Sequence, residues 1–320
     1  MTSEFDLIAR YFSRPAPPGM RGVGDDCAVL PMDSSQELVV SKDLLLEGRH
    51  FFSDAAPEAL GHKALAVNLS DIAAMGATPL ACLLGIGVPV IDHAWLESFS
   101  RGFLRLADEA ACPLVGGDTT RSLSGIAISV TVMGKVPRGQ ALLRCAASVG
   151  DDIWITGELG AADVALRLMQ GRLPFDETRL AATREALERP RPPWAFAPML
   201  AGLAHAALDI SDGLLQDLGH IAAASACAAR LDYDALPVSA DLRGLDAQTI
   251  QDAVLAGGDV YQLCFTASQE HRLLVRQRAG QAGVKVSRVG SIESGEGIRV
   301  ARADGTPVDV RGRSGFDHFS

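Results

Sequence analysis

Hydrophobic and polar positions change period along the chain, and each change predicts an element. Glu37 to Val40 opens a strand. Between residues 60 and 76, Leu65, Leu69, Ile72 and Met75 recur at the three- and four-residue spacing of one helix face, and residues 94 to 111 predict a second helix. The uncharged stretch 72 to 91, IAAMGATPLACLLGIGVPVI, is long enough to span a bilayer. Gly76, Pro79, Gly85, Gly87 and Pro89 divide it instead into a helix end, a turn and a short apolar strand. Residues 125 to 136, GIAISVTVMGKV, alternate as a half-buried strand does. PRGQALLRCAASVGDD, with Pro137, two glycines and little amphipathicity, marks a domain junction.

Beyond it, strand Ile153 to Thr156 leads to a helix near 160 to 171 that starts on glycine. The Pro-rich RPRPPWAFAP at 189 to 198 reads as a loop leading into another helix. Helix 213 to 229, strand 260 to 267, a helix near 268 to 281 and strand 284 to 290 complete the pattern. No short repeat and no low-complexity tract is present. The 320 residues suffice for two domains at roughly 150 each, and the mixture of elements makes both α+β.

Composition narrows the function classes. With 48% hydrophobic and 21% charged residues the chain is globular, not disordered. The 39 acids against 29 Lys plus Arg give a net charge of −10, without the basic surface that neutralises a nucleic-acid backbone. MTSEFDLIARYF lacks a basic, then apolar leader, so a cytoplasmic location is expected, with no membrane partner. The six cysteines (Cys27, Cys82, Cys112, Cys145, Cys227, Cys264) form no CxxC and lie mostly among Ala, Val and Leu, as buried thiols do.

Candidate chemistry lies in where the aspartates sit. Asp25 and Asp26 in RGVGDDCAVL, Asp43 in VVSKDLLLEG, Asp71 in AVNLSDIAAMGA, Asp118 in LVGGDTT, and Asp209 and Asp212 in ALDISDGLL all stand in glycine-rich or apolar company. An unpaired carboxylate is costly to bury there. Mg2+ removes that cost by taking about one or two carboxylates per ion and filling its other positions with water and phosphate oxygens, and this many acids implies several ions. Each acid also has an ordinary reading: Asp212 or Ser211 as a helix cap, Asp118 as a turn residue after two glycines, Asp25 as solvated. Asp71, in mid-helix, cannot be a cap. GVGDD, GGDTT and SDGL read as glycine-rich turns whose amides can approach a phosphate. No GxxxxGK[ST], kinase HRD or DFG set, or strand-to-helix GxGxxG occurs, so a nucleotide would be held through metal and loop amides.

The segments EFDLIARYF, GVGDDCAVL, SKDLLLEGRHF, GHKALAVNLSDIAAMGA, GGDTTR, ALDISDGLLQDLGHI and GFDHF, in this order, resemble the thiamine-monophosphate kinase family of the aminoimidazole-ribonucleotide-synthetase-like superfamily. The resemblance implies a two-domain fold of that type. Its N-terminal domain, residues 1–140, would bind ATP and Mg2+ and pair its sheet with that of a second copy in a homodimer, and residues 141–320 would form the second α+β domain. It implies ATP-dependent phosphorylation of thiamine monophosphate. Asp26, Ser41, Asp43, Asp71, Asp118, Asp209 and Asp212 match metal positions; Gly117, Asp118, Arg144 and Ser211 match nucleotide contacts; His50, Asp259 and Phe316 match substrate positions. Read without the family, His50 is a polar residue at a strand end.

The implied acceptor is a phosphate monoester with a second pKa of about 6, largely dianionic at neutral pH, so no general base is expected. Two departures stand out: Lys42 replaces the usual Thr beside Asp43, and GGDVYQL at 257 to 263 replaces GGEDYEL. With Asp259, Val260 and Gln262 standing for Glu, Asp and Glu, the second removes carboxylates on the substrate side, while Lys42 adds a cation on the metal side; the phosphate-binding half stays largely intact. The rival readings are a superfamily kinase or ATP-dependent synthetase acting on another small phosphorylated metabolite, and a catalytically weak ATP/Mg-binding regulatory paralogue.

Overall fold

The computed structural model describes residues 10–11, 32–310 and Gly315. Asp25, Asp26, Cys27 and Phe316 lie outside these described residues. The chain divides into two compact units, one reaching to Ile72 and resuming at Ala77–Gly139, the other formed by Ala73–Gly76 and the residues from Gln140 onward.

In the first unit the described elements are β1 (Gln36–Leu46), α1 (Pro57–Ala74), β2 (Thr78–Val88), α2 (His93–Glu109), β3 (Leu114–Arg121) and β4 (Ala127–Pro137). The strands form a sheet in the order β1-β4-β2-β3, with β4 antiparallel to β1 and β2, and β3 parallel to β2. The Asp92 carboxylate starts α2 by accepting the Ala94 and Trp95 amides. Glycines bring α1 and α2 together: a Cβ at Gly102 would stand 1.9 Å from the Glu58 carbonyl oxygen, and one at Gly61 2.1 Å from that of Phe99. Such close crossing explains why α1 is apolar on nearly every side instead of along one stripe.

Three expectations change here. The apolar stretch holds not a short strand but the whole of β2, buried for most of its length. GGDTT is not a turn: Gly116, Gly117 and Asp118 lie inside β3, and a Cβ at Gly117 would meet the Leu84 carbonyl oxygen at 1.9 Å. Glycine is required there by the approach of β2. Among the cysteines, Cys82, Cys112, Cys227 and Cys264 are buried as expected, whereas Cys145 is exposed.

The second unit contains β5 (Asp152–Thr156), α3 (Ala161–Met169), α4 (Glu177–Glu188), β6 (Ala204–Asp209), α5 (Leu214–Ala224), β7 (Ala228–Asp232), α6 (Ala247–Leu255), β8 (Leu263–Ala267), α7 (Arg272–Gln281), β9 (Val286–Glu293) and β10 (Gly297–Ala301). Its sheet runs β10-β7-β9-β5-β8-β6. Both faces are covered, since Ile153 and Ile155 enter one apolar cluster and Trp154, with Phe196 and Phe265, the other. The Pro-rich loop leads only into a single 3-10 turn, Ala197–Leu200, which places Phe196 edge-on to Phe265. The helix expected to reach residue 229 stops at Ala224, because Ala226 turns the chain at φ 51° into β7. Among the described residues no helix is long and apolar enough to cross a membrane.

Candidate functional site

Two groups of predicted residues emerge, one in each unit. In the first unit, strand alternation turns Ser41 and Asp43 to the side of β1 that faces α1, and Lys42 and Leu44 to the outer, exposed side. From Ala59 to Ala74 every residue of α1 is buried except Asp71. Ser41 Oγ donates to Asp71 Oδ2 at 2.5 Å. One helical turn earlier, Asn68 Oδ1 accepts the Asp43 amide at 3.1 Å, while its own Nδ2 donates to the Ala64 carbonyl. The strand and helix thereby set two carboxylates beside each other. Burial, and next the charge of Asp71, push the Asp43 carboxyl up to about 7.

Gly117 and Asp118 stand exposed on β3. Val130 pairs with both Asp43 and Leu84, and Leu84 pairs with Gly117, so Asp43 and Gly117 share one row across the four strands. His50 sits in the turn after β1, its Nδ1 accepting the Leu46 amide at 3.0 Å.

In the second unit, Asp209 ends β6 and is buried, and Ser211 and Asp212 follow in a tight loop before α5. The GGDVYQ segment clamps that loop through its backbone: Asp259 N–H donates to Ser211 O, Tyr261 N–H to Ile210 O and Ile210 N–H to Gln262 O, each at 2.8 Å. To make these bonds Asp259 and Tyr261 adopt left-handed φ values of 59° and 52°, and the Tyr261 hydroxyl donates to Asp259 Oδ1. Gly258 must be glycine, since a Cβ would stand 2.6 Å from Ser211 O. Gly315 of the terminal GFDHF packs on the same loop, where a Cβ would lie 2.4 Å from Asp212 O. Arg144, in a short 3-10 turn, is exposed, and its carbonyl accepts the Ser225 hydroxyl at 2.9 Å.

One departure has a structural explanation. Gln262 Oε1 accepts the Thr156 hydroxyl at 2.8 Å and Nε2 donates to the Arg191 carbonyl at 3.0 Å. An ionised carboxylate could not make the second bond, so Gln262 contributes to the packing of this unit.

The donors are carboxylates and a hydroxyl, the hard oxygen set that suits Mg2+, and the mutual repulsion of Asp43 and Asp71 is what a cation would relieve. Among the described residues no three His, Cys, Asp or Glu side chains converge on one point. Asn68, Gln216 and Asp217 were missed by sequence reasoning. Asn68 had a signal, being a lone amide three residues before Asp71 in an apolar helix, and Asp217 is a further acid flanked by leucines in LLQDLGHI.

Comparison with known proteins agrees over the whole length. Residues 24–136 match the family described as AIR synthase related protein, N-terminal domain, and residues 148–302 match its C-terminal domain. The thiamine-monophosphate kinase of Salmonella typhimurium is 41% identical over 323 residues, covering 99% of this chain and 98% of the relative. The chain belongs to the thiamine-monophosphate kinase family. The crystal structure of a thiamine-monophosphate kinase from Stenotrophomonas maltophilia superposes with a TM-score of 0.84 at 43% identity, over 94% of this chain and 95% of that one. A structure described as AaThiL complexed with AMPPCP and TMP superposes with a TM-score of 0.77 at 31% identity, over 91% and 90%. Membership gives the two acid groups a shared context: both occur within the segments by which the chain resembles its family.

Proposed function

We propose that the protein transfers the terminal phosphoryl group of ATP to the phosphate of thiamine monophosphate, giving thiamine diphosphate and ADP. The observation that carries this reading is likeness along the entire chain to thiamine-monophosphate kinases, one structural relative holding both AMPPCP and TMP. Ser41, Asp43, Asp71, Asp118, Asp209 and Asp212, with Asp26, serve as the Mg2+-binding positions. Bound Mg2+ supplies charge neutralisation where two polyanions must approach in line. Gly117, Asp118 and Ser211 bind the nucleotide, and Arg144 can fork onto phosphate oxygens. His50, Asp259 and Phe316 bind thiamine monophosphate, whose permanent thiazolium cation suits a carboxylate and an aromatic face. The acceptor phosphate is already dianionic, so no residue acts as a general base.

The working form is a cytoplasmic homodimer. Leu38, Val40, Leu44 and Leu46 make an exposed apolar stripe along β1, at the edge of the first unit's sheet, and a second copy covers it. Sedimentation should give twice the monomer mass, and Val40→Asp should lower it.

A coupled ADP-release assay across a small panel of phosphorylated metabolites tests the activity. Release with thiamine monophosphate alone supports the proposal. Release with another phosphate points to the superfamily rival, and Mg-ATP binding without turnover on any of them points to a regulatory paralogue.

A further inference from the structure

The Asp209–Gly213 loop carries three of the proposed ligand positions on few residues, so its shape must be set from outside. The GGDVYQ segment fixes the backbone at Ile210 and Ser211. The other end depends on one side chain. Asp217, in the first turn of α5 and only 4% exposed, accepts both the Asp212 amide (3.1 Å) and the Gly213 amide (2.9 Å) on its Oδ2. Its neighbour Gln216 donates to Asp212 Oδ2 at 3.0 Å, so the backbone and the carboxylate of Asp212 are gripped by successive residues of one helical turn. Gly213 must be glycine, because at φ 133° a Cβ would stand 2.7 Å from the Ala256 carbonyl oxygen.

We infer that Asp217 is a positioning residue for Mg-ATP: by holding the Asp212 and Gly213 amides it aims Ser211 and Asp212 at the nucleotide, without touching the nucleotide itself. The inference rests on the proposed role of this loop in binding Mg-ATP. A carboxylate inside the first turn that returns to amides at the helix start also resembles a capping box, which would stabilise α5 and nothing more. The two roles separate by measurement. Positioning predicts that Asp217→Ala raises the KM for Mg-ATP at least tenfold and leaves the KM for thiamine monophosphate within twofold. Asp217→Asn, which keeps an oxygen acceptor of the same reach, should recover the Mg-ATP KM to within about threefold of wild type. A mere cap predicts a lower Tm for Asp217→Ala with both KM values unchanged, and that result overturns the inference, as does an Asn variant impaired as badly as Ala.

Two further measurements keep the outcome independent of folding and of the kinase reading. In the wild-type protein without nucleotide, the Asp212 and Gly213 amide protons should exchange slowly; free exchange at both overturns the inference whether or not the variants fold. If the wild-type protein turns over no thiamine monophosphate, calorimetric binding of Mg-AMPPCP replaces the KM, with at least tenfold weaker binding by Asp217→Ala expected and equal binding overturning the inference.

Discussion

The two acid groups are held in opposite ways. In the first unit, strand and helix bring Asp43 and Asp71 together so that each charge raises the cost of the other, and Asp43 rises to about 7. In the second unit, Asp212 is met by donors: Gln216 on its carboxylate, and a loop backbone locked by Asp217 and the GGDVYQ segment. Burial pushes Asp217 up to about 6; the Gly213, Asp212 and Ser211 amides oppose the shift and the charge of Asp212 adds to it, a smaller conflict than burial and one that the loop's own donors offset. One group is a charge conflict that a bound cation would relieve. The other is built by protein donors before any ion arrives, so a metal should change the first more than the second.

The largest effect should come from removing a charge in the first group. Asp71→Asn still offers Ser41 an oxygen acceptor, so the fold should persist, but a neutral amide is a weak Mg2+ ligand. Turnover should fall by about a thousandfold or more, roughly 4 kcal/mol of transition-state stabilisation. Asp118→Asn, at an exposed strand position, should do the same with even less effect on melting. ADP release and thermal melting measured side by side check this, and full activity in either variant would remove metal from the account of these acids.

The pH dependence of stability sharpens the contrast. Asp43 and Asp217 both have folded pKa values raised above the ordinary carboxylate value, so between about 4 and their folded values the native state binds more protons than the unfolded chain. Stability they supply in acid is therefore lost as pH rises, up to about 6 for Asp217 and about 7 for Asp43. In chelator, Tm should decline across this window. Added Mg2+ should flatten the slope most clearly between about 6 and 7, the part that belongs to Asp43 alone. Asp43→Asn should abolish the Mg2+ effect; a slope that Mg2+ leaves untouched in the wild-type protein would show that no ion binds there.

The difference between the groups also decides what could be read beforehand. Asp43 and Asp71 were legible because strand and helix periodicity are local, and an acid in an apolar helix is conspicuous. Their meeting was not, since it depends on which helix crosses β1. GGDTT was misread because glycines that admit a neighbouring strand look the same in sequence as glycines that make a turn. The strands β6, β7 and β10 and the helices α4 and α6 escaped because short or polar segments carry weak periodicity. Asp217 escaped because its partners are backbone amides, which have no sequence signature.

A smaller effect is expected where the second unit departs from its family. Gln262→Glu replaces a donor to the Arg191 carbonyl with a carboxylate that repels it, at a cost of about 1–3 kcal/mol. Tm should drop by several degrees while the KM for thiamine monophosphate stays within twofold. A large rise in that KM with unchanged Tm would return Gln262 to the substrate side.

The smallest effect should come from Lys42, although it sits between two proposed metal positions. Its neighbours Ser41 and Asp43 face α1, where Ser41 bonds to Asp71 and the Asp43 amide to Asn68. Alternation sends the Lys42 side chain to the opposite, exposed face, so its ammonium is separated from the carboxylates by the sheet itself. Like-charge repulsion of an ion at Asp43 should then be weak, and only the Lys42 backbone borders the acid pair. Lys42→Thr should change the Mg2+ concentration for half-maximal activity by less than roughly tenfold, or about 1.4 kcal/mol. A larger improvement would mean that the ammonium folds back over the strand edge and competes with the ion. A larger loss, accompanied by a fall in sedimenting mass, would place Lys42 in the contact between two copies.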